Sequence, residues 1–138
     1  MCINPHYSKR EKGGEDAVCV GPTILCVADG VGGWASSGVD PAIYSKKLCD
    51  LMSALYHDTH VEPVSEDQRE LYNISPKTLI LDAFKLNREI GSCTVVTITL
   101  DKTNPYISTE NIGDSGYMII RPEQAEGGLS GVEGKIIF

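Results

Sequence analysis

An α+β domain built on an antiparallel sheet is the fold class this sequence predicts, and three observations predict it. β-rich runs lie near both ends of the chain, with two stretches of helical periodicity between them. Glycine- and proline-bearing links of hairpin length join the strand runs. Strands and helices are grouped rather than alternating, which favours an antiparallel sheet covered by helices over a parallel βαβ sheet.

The first two strands are expected at residues 16–20 and 24–28, joined through Gly21, Pro22 and Thr23. A two-residue Gly21-Pro22 loop would set Val20 against Thr23 and Asp16 against Val27. Asp16 and Asp29 then fall on one face as diagonal neighbours, about 5 to 8 Å apart at Cβ; a three-residue loop would shift this register. A glycine-dense loop follows from Asp29 to Trp34. Asp40-Pro41 then signals a helix, with aspartate as N-cap and proline at the first helical position. Tyr44, Leu48, Leu51, Met52 and Leu55 form its apolar stripe.

Residues 58–74 read as a polar surface connection. Ser75-Pro76 starts a second helix carrying Leu79, Ala83, Leu86 and Ile90 and ending at Gly91. Strands are expected at Cys93 to Leu100, Tyr106 to Ile112 and Tyr117 to Arg121, with turns at 101–105 and at Gly113-Asp114-Ser115-Gly116. A loop containing Gly127-Gly128 leads to a last strand from Lys135 to Phe138.

The chain has 138 residues, the size of one domain, with 41% hydrophobic and 22% charged residues, as in soluble globular proteins. Its formal net charge of −7 disfavours nucleic acid and anionic membrane as partners, since both require concentrated Lys and Arg. Lys9, Arg10 and Lys12 make the one basic cluster; Glu11 interrupts it, and it reads as a solvated approach to a strand. Five cysteines show no zinc-site spacing, and those at 19, 26 and 93 sit in apolar runs as small hydrophobes, which fits a reducing, intracellular setting. No apolar run reaches membrane-spanning length, and the first ten residues lack the apolar core of a signal peptide.

Glu15, Asp16, Asp29 and Asp114 are acidic residues at strand ends or turns bordered by glycine. A strand that ends in aspartate after an apolar run places a charge that needs a cation or hydrogen-bond donors. Oxygen-rich, sulfur-poor and histidine-poor sites suit Mg²⁺ or Mn²⁺. Read singly, Asp29-Gly30 and Asp114-Ser115-Gly116 are equally ordinary turn sequences. The glycine loop lacks the Lys-Ser/Thr of a phosphate-binding P-loop and the spacing of a dinucleotide fingerprint. His6, His57 and His60 read as surface histidines, and Trp34 as a packing residue more than a cleft wall.

Taken in order, GGEDA at 13–17, VADGVGGW at 27–34, GSCTVVTITLD at 91–101 and NIGDSGY at 111–117 resemble the type 2C metal-dependent protein serine/threonine phosphatases. Gly38-Val39-Asp40-Pro41 and the GDSG turn are similar to the branch that includes mitochondrial and plastid members. The resemblance implies an antiparallel β-sandwich flanked by helices and a centre of two or more Mg²⁺ or Mn²⁺ ions. That centre would activate water against phosphoserine and phosphothreonine proteins. Carried over, Asp29 bridges the metals, Gly30 offers its backbone carbonyl, Glu15 and Asp16 hold metal-bound waters, and Asp114 assists an additional metal. Ser115 and Gly116 shape their turn.

Three departures qualify the match. Val31 stands where the family often has a histidine acting as general acid. Glu11 stands where it places a phosphate-binding arginine, which leaves Arg10, one position away, as the candidate. The family's second half, with another Asp-Gly motif and a late aspartate pair, is not in these residues. Residues 1–138 therefore resemble the amino-terminal half of a catalytic domain, an incomplete sandwich expected to have little or no activity alone. A dimer or an exchanged element is expected if the chain stands by itself. The competing readings are a shortened, non-catalytic module binding phosphoproteins or a partner, and a regulator akin to the bacterial anti-sigma-factor phosphatases.

Overall fold

The computed structural model describes residues 4–61, 75–101, 104–123 and 133–136. Pro22 has no N–H to give to a strand ladder, and it lies where none is needed, in the loop between β1 (Asp16–Val20) and β2 (Ile24–Gly30). The Gly21 N–H donates to the Ile24 carbonyl at 2.9 Å, so the two-residue loop is Pro22-Thr23, one position later than expected. Glycine at 21 serves close strand approach instead of the turn: an added Cβ would lie 2.8 Å from Ile24 Cγ2. The register moves accordingly, with Val20 opposite Leu25 and Asp16 directly opposite Asp29.

A 3-10 helix, Tyr7–Lys12, precedes β1, and a second, Gly32–Ser37, occupies the expected glycine loop. Helix α1 runs from Pro41 to Val61. Its Asp40 cap is present, Ala42 N donating to Asp40 Oδ1 at 3.0 Å. Helix α2 spans Pro76–Leu86, with Ser75 Oγ accepting from Thr78 N at 3.2 Å. Ser75→Ala removes that acceptor and is expected to cost about 1 kcal/mol, measured as a lower urea midpoint at unchanged slope.

Helix α2 stops short of the expected Gly91. Asn87 leaves the helix at φ −71°, ψ 118°, its Nδ2 donating to the Tyr44 carbonyl at 3.2 Å and its Oδ1 accepting from Glu89 N at 3.1 Å. These side-chain bonds offer the backbone an alternative to another helical turn. Leu86 and Ile90, expected on the buried stripe, are consequently exposed.

Strands β3 (Cys93–Leu100) and β4 (Ile107–Ile112) complete an antiparallel sheet of order β1-β2-β3-β4. A strand expected from Tyr117 begins only at Ile120: β5 is Ile120–Glu123, paired with β6, Glu133–Ile136. Between β4 and β5 the chain folds back through side chains rather than a ladder. Asn111 Nδ2 donates to the Ser115 carbonyl at 2.6 Å, and Tyr117 OH to Thr109 Oγ1 at 2.9 Å. Residues 58–61 extend α1 in place of the expected connection; 62–74, the Gly127-Gly128 loop, Ile137 and Phe138 lie outside the described residues.

Helix α1 packs on β1, β2 and α2, and α2 packs on β3 and β4, so one sheet face is covered. The core joins Cys19, Cys26 and Ala28 of the sheet to Leu48, Cys49, Met52 and Tyr56 of α1 and Leu79 and Ala83 of α2. Burying a side chain such as Met52 or Leu79 contributes about 1.5 to 3 kcal/mol. Hydrogen bonds pin α1 along the hairpin: Ser45 Oγ donates to the Glu15 carbonyl at 2.6 Å, Cys26 Sγ to Met52 Sδ at 3.7 Å, and Tyr56 OH meets Thr23 Oγ1. The opposite face of the sheet exposes Val20, Leu25 and Leu100. Among the described residues no helix is long and apolar enough to cross a membrane.

Candidate metal centre

Hydrogen-bonded and non-hydrogen-bonded pairs alternate along an antiparallel ladder, and Glu15–Gly30 is a bonded pair, Gly30 N donating to Glu15 O at 3.1 Å. Its neighbour Asp16–Asp29 is therefore a non-bonded pair, in which side chains approach most closely, at about 4.5 to 5.5 Å between Cβ atoms. The two carboxylates face each other directly, a closer arrangement than the diagonal one expected. Thr94 of β3 lies beside Asp29 in the sheet, and its Oγ1 meets Ser115 Oγ at 2.5 Å. That bond ties the loop carrying Asp114 to the same sheet end. Gly113 allows it: φ is +102°, and an added Cβ would lie 2.7 Å from Thr94 Cγ2.

Electrostatics report the crowding. The Asp29 carboxyl is pushed above the usual carboxylate range, first by desolvation, then by the charge and hydrogen bonding of Asp16, then by Asp114 and Glu15. Among the described residues, Lys9 answers this charge. Lys9 Nζ pairs with Glu15 Oε2 at 2.6 Å, a bond that holds its ammonium above the usual lysine value, with Asp29 and Asp16 adding to the effect. Arg10, the expected phosphate ligand, sits in the same 3-10 helix, exposed and with no ion pair among the described residues. Sequence reasoning passed over Lys9 because it reads as one of a solvated basic cluster; only the fold carries it back to Glu15.

Neighbouring residues hold the frame. Trp34 Nε1 donates to Ser92 Oγ at 2.8 Å and Val31 N to Ser92 O at 3.0 Å, so the tryptophan, half-buried and outside the core, anchors the glycine loop to the start of β3. His6 accepts from Ser8 N at 3.4 Å as the cap of the first 3-10 helix, and His57 is exposed on α1. A cavity of about 440 Å³ is lined by Lys9, Glu15, Val39, Asp40 and Pro41 among others; of the four candidate carboxylates it touches Glu15 and not Asp16, Asp29 or Asp114.

The donor set suits a hard divalent cation in part. It is all oxygen, and two like charges in direct opposition call for a counter-charge, for which the Lys9 ammonium stands in. Among the described residues no three of His, Cys, Asp and Glu close into a group able to hold a metal ion alone. Asp16 and Asp29 form a pair, with Glu15 and Asp114 as neighbours, so further oxygens must come from water, backbone or other residues.

No family model matches the chain. It is 38% identical over 122 residues to "Probable protein phosphatase 2C 55" of Arabidopsis thaliana, covering 87% of this chain and 24% of that protein. It is 35% identical over 123 residues to "Probable protein phosphatase 2C 1" of Oryza sativa subsp. japonica, covering 87% of this chain and 34% of that one. Against "Protein phosphatase PTC7 homolog" of Xenopus laevis the identity is 34% over 98 residues, 71% of this chain and 31% of the relative. The X-ray structure of the photosystem II phosphatase PBCP superposes at a TM-score of 0.69 with 28% identity, covering 98% of this chain and 46% of that one. The chain thus spans about a quarter to a third of these curated relatives and just under half of the solved structure.

Proposed function

We propose that this chain, a relative of the type 2C protein phosphatases across the portion of their length it spans, contributes the carboxylate half of a metal-dependent centre that hydrolyses phosphoserine and phosphothreonine in proteins. The direct opposition of Asp16 and Asp29, with the Asp29 carboxyl raised by its acidic neighbours, is the observation that carries this reading. Mg²⁺ or Mn²⁺, when bound, supplies an activated water and neutralises charge on the phosphoryl oxygens.

Each residue has a stated part. Asp29 would offer its carboxylate oxygens to the cations, and Gly30 its backbone carbonyl. Glu15 and Asp16 would hold metal-bound water, and Asp114 would serve an additional cation. Lys9, the cation already at the carboxylates, is better placed than Arg10 to meet a substrate phosphate. Val31 has no proton to give, so protonation of the leaving alkoxide falls to water or another group.

The test is Mn²⁺-dependent hydrolysis of p-nitrophenyl phosphate by this chain and by a version lengthened toward the size of its relatives. Turnover in the longer protein, with little or none in residues 1–138, supports the reading. Inactivity of both defeats it and leaves a non-catalytic module that binds phosphoproteins or a partner.

A further inference from the structure

The Glu15 side chain is only 18% exposed, whereas that of Lys9 is 49% exposed, so a largely desolvated carboxylate is neutralised by an ammonium that can leave toward water. The backbone beneath Lys9 is fixed at both ends. His6 caps the 3-10 helix at its start; at its end Gly13, in the left-handed region at φ +81°, donates to the Arg10 carbonyl at 3.2 Å, and Gly14 donates to the Lys9 carbonyl at 3.3 Å. Gly32 leaves room for the Glu15 carboxylate, since a Cβ there would lie 3.0 Å from Glu15 Oε2. The lysine backbone is thus set by the fold, with the freedom left in its side chain.

We infer that Lys9 is a built-in competitor for the metal centre: its ammonium occupies Glu15 and must give up that contact, or share it, before a divalent cation can use Glu15 to hold its water. The inference rests on the metal-centre reading above. A unit positive charge at this place opposes an arriving dication directly and also removes one of the acidic groups that would attract it. Loading then requires a higher free cation concentration than the four carboxylates alone would set. The displaced ammonium remains at the wall of the cavity, with donors free for an anion.

Mn²⁺ uptake by residues 1–138, followed through the loss of the free-ion paramagnetic resonance signal, tests this without any turnover. Lys9→Gln is expected to bind Mn²⁺ about threefold to tenfold more tightly, the scale of a partly screened charge interaction. Lys9→Arg, which keeps charge and pairing, is expected to match the parent or bind more weakly. In a Glu15→Gln background the gain from Lys9→Gln should shrink toward nothing, because the competition has lost its object. Unchanged or weaker Mn²⁺ binding by Lys9→Gln overturns the inference alone. No uptake by any form at millimolar Mn²⁺ removes it together with the metal centre.

Discussion

Asp29→Asn is expected to abolish the Mn²⁺-dependent stabilisation of the folded chain while leaving the metal-free protein as stable as before, or slightly more so. A ligand that binds only the folded state adds about 2.7 kcal/mol at a free concentration a hundredfold above its dissociation constant. Asp29 is the carboxylate on which every other acidic group of the site bears, so its loss removes that increment. Without metal the sign reverses. The native Asp29 pKa is raised, so the folded state holds this proton more tightly than the unfolded state does, and ionising Asp29 lowers stability as pH rises through the raised value. The variant lacks this penalty; its metal-free advantage should be present near neutral pH and fade as pH falls toward the ordinary carboxylate value of 3.8. Because Asp29 is exposed, solvent screening keeps that advantage below about 1 kcal/mol. Urea denaturation with and without Mn²⁺, near neutrality and in mild acid, checks both halves, and a preserved Mn²⁺ shift in the variant would remove Asp29 from the centre. In a protein of the relatives' length the same change is expected to eliminate hydrolysis.

Local chemistry with few competing solutions was legible in the sequence. Asp40-Pro41 and Ser75-Pro76 mark helix starts because a side-chain acceptor and a preset φ act within one turn, and both helices begin there. A two-residue loop at either position, Gly21-Pro22 or Pro22-Thr23, leaves Asp16 and Asp29 on one face, so their meeting survived a misplaced turn. The exact register did not, because Gly21 resembles a turn residue while serving close packing against Ile24. What failed depends on side-chain partners that no helix or strand period announces. Asn87 ends α2 by reaching the Tyr44 carbonyl, and the segment after β4 is held to it by Asn111 and Tyr117 in place of a strand ladder. Ser45, polar and fully buried, finds its acceptor at Glu15 O, thirty residues earlier. Lys9 belongs with these, since six residues of capped turn bring it back to Glu15, and no spacing rule announces that pairing.

Gly30→Ala is expected to destabilise the chain strongly. Gly30 is not among the glycines at positive φ, so the requirement is for space and not for a special backbone conformation. A Cβ there would stand 2.7 Å from the Glu15 carbonyl oxygen and 2.8 Å from that of Pro41. Both obstacles are backbone atoms, and both are pinned. Glu15 O accepts from Gly30 N at 3.1 Å and from Ser45 Oγ at 2.6 Å, while Pro41 opens α1. Neither can yield without separating the helix from the hairpin, so the expected destabilisation is about 3 kcal/mol or more, the upper range for overpacking. Gly116→Ala is the matched control: it lies in the GDSG turn, has no neighbour within 4 Å of an added Cβ, and should change stability by less than about 0.5 kcal/mol. Urea midpoints of the two variants against the parent decide the matter, and a Gly30→Ala protein as stable as Gly116→Ala would show that α1 does not clamp the sheet end. The same clash bears on chemistry, because Asp29 is the adjacent residue. The contact that lets α1 sit against Gly30 also fixes where the Asp29 carboxylate stands opposite Asp16, so any shift that relieves the methyl moves the carboxylates apart and should weaken Mn²⁺ uptake in step with stability.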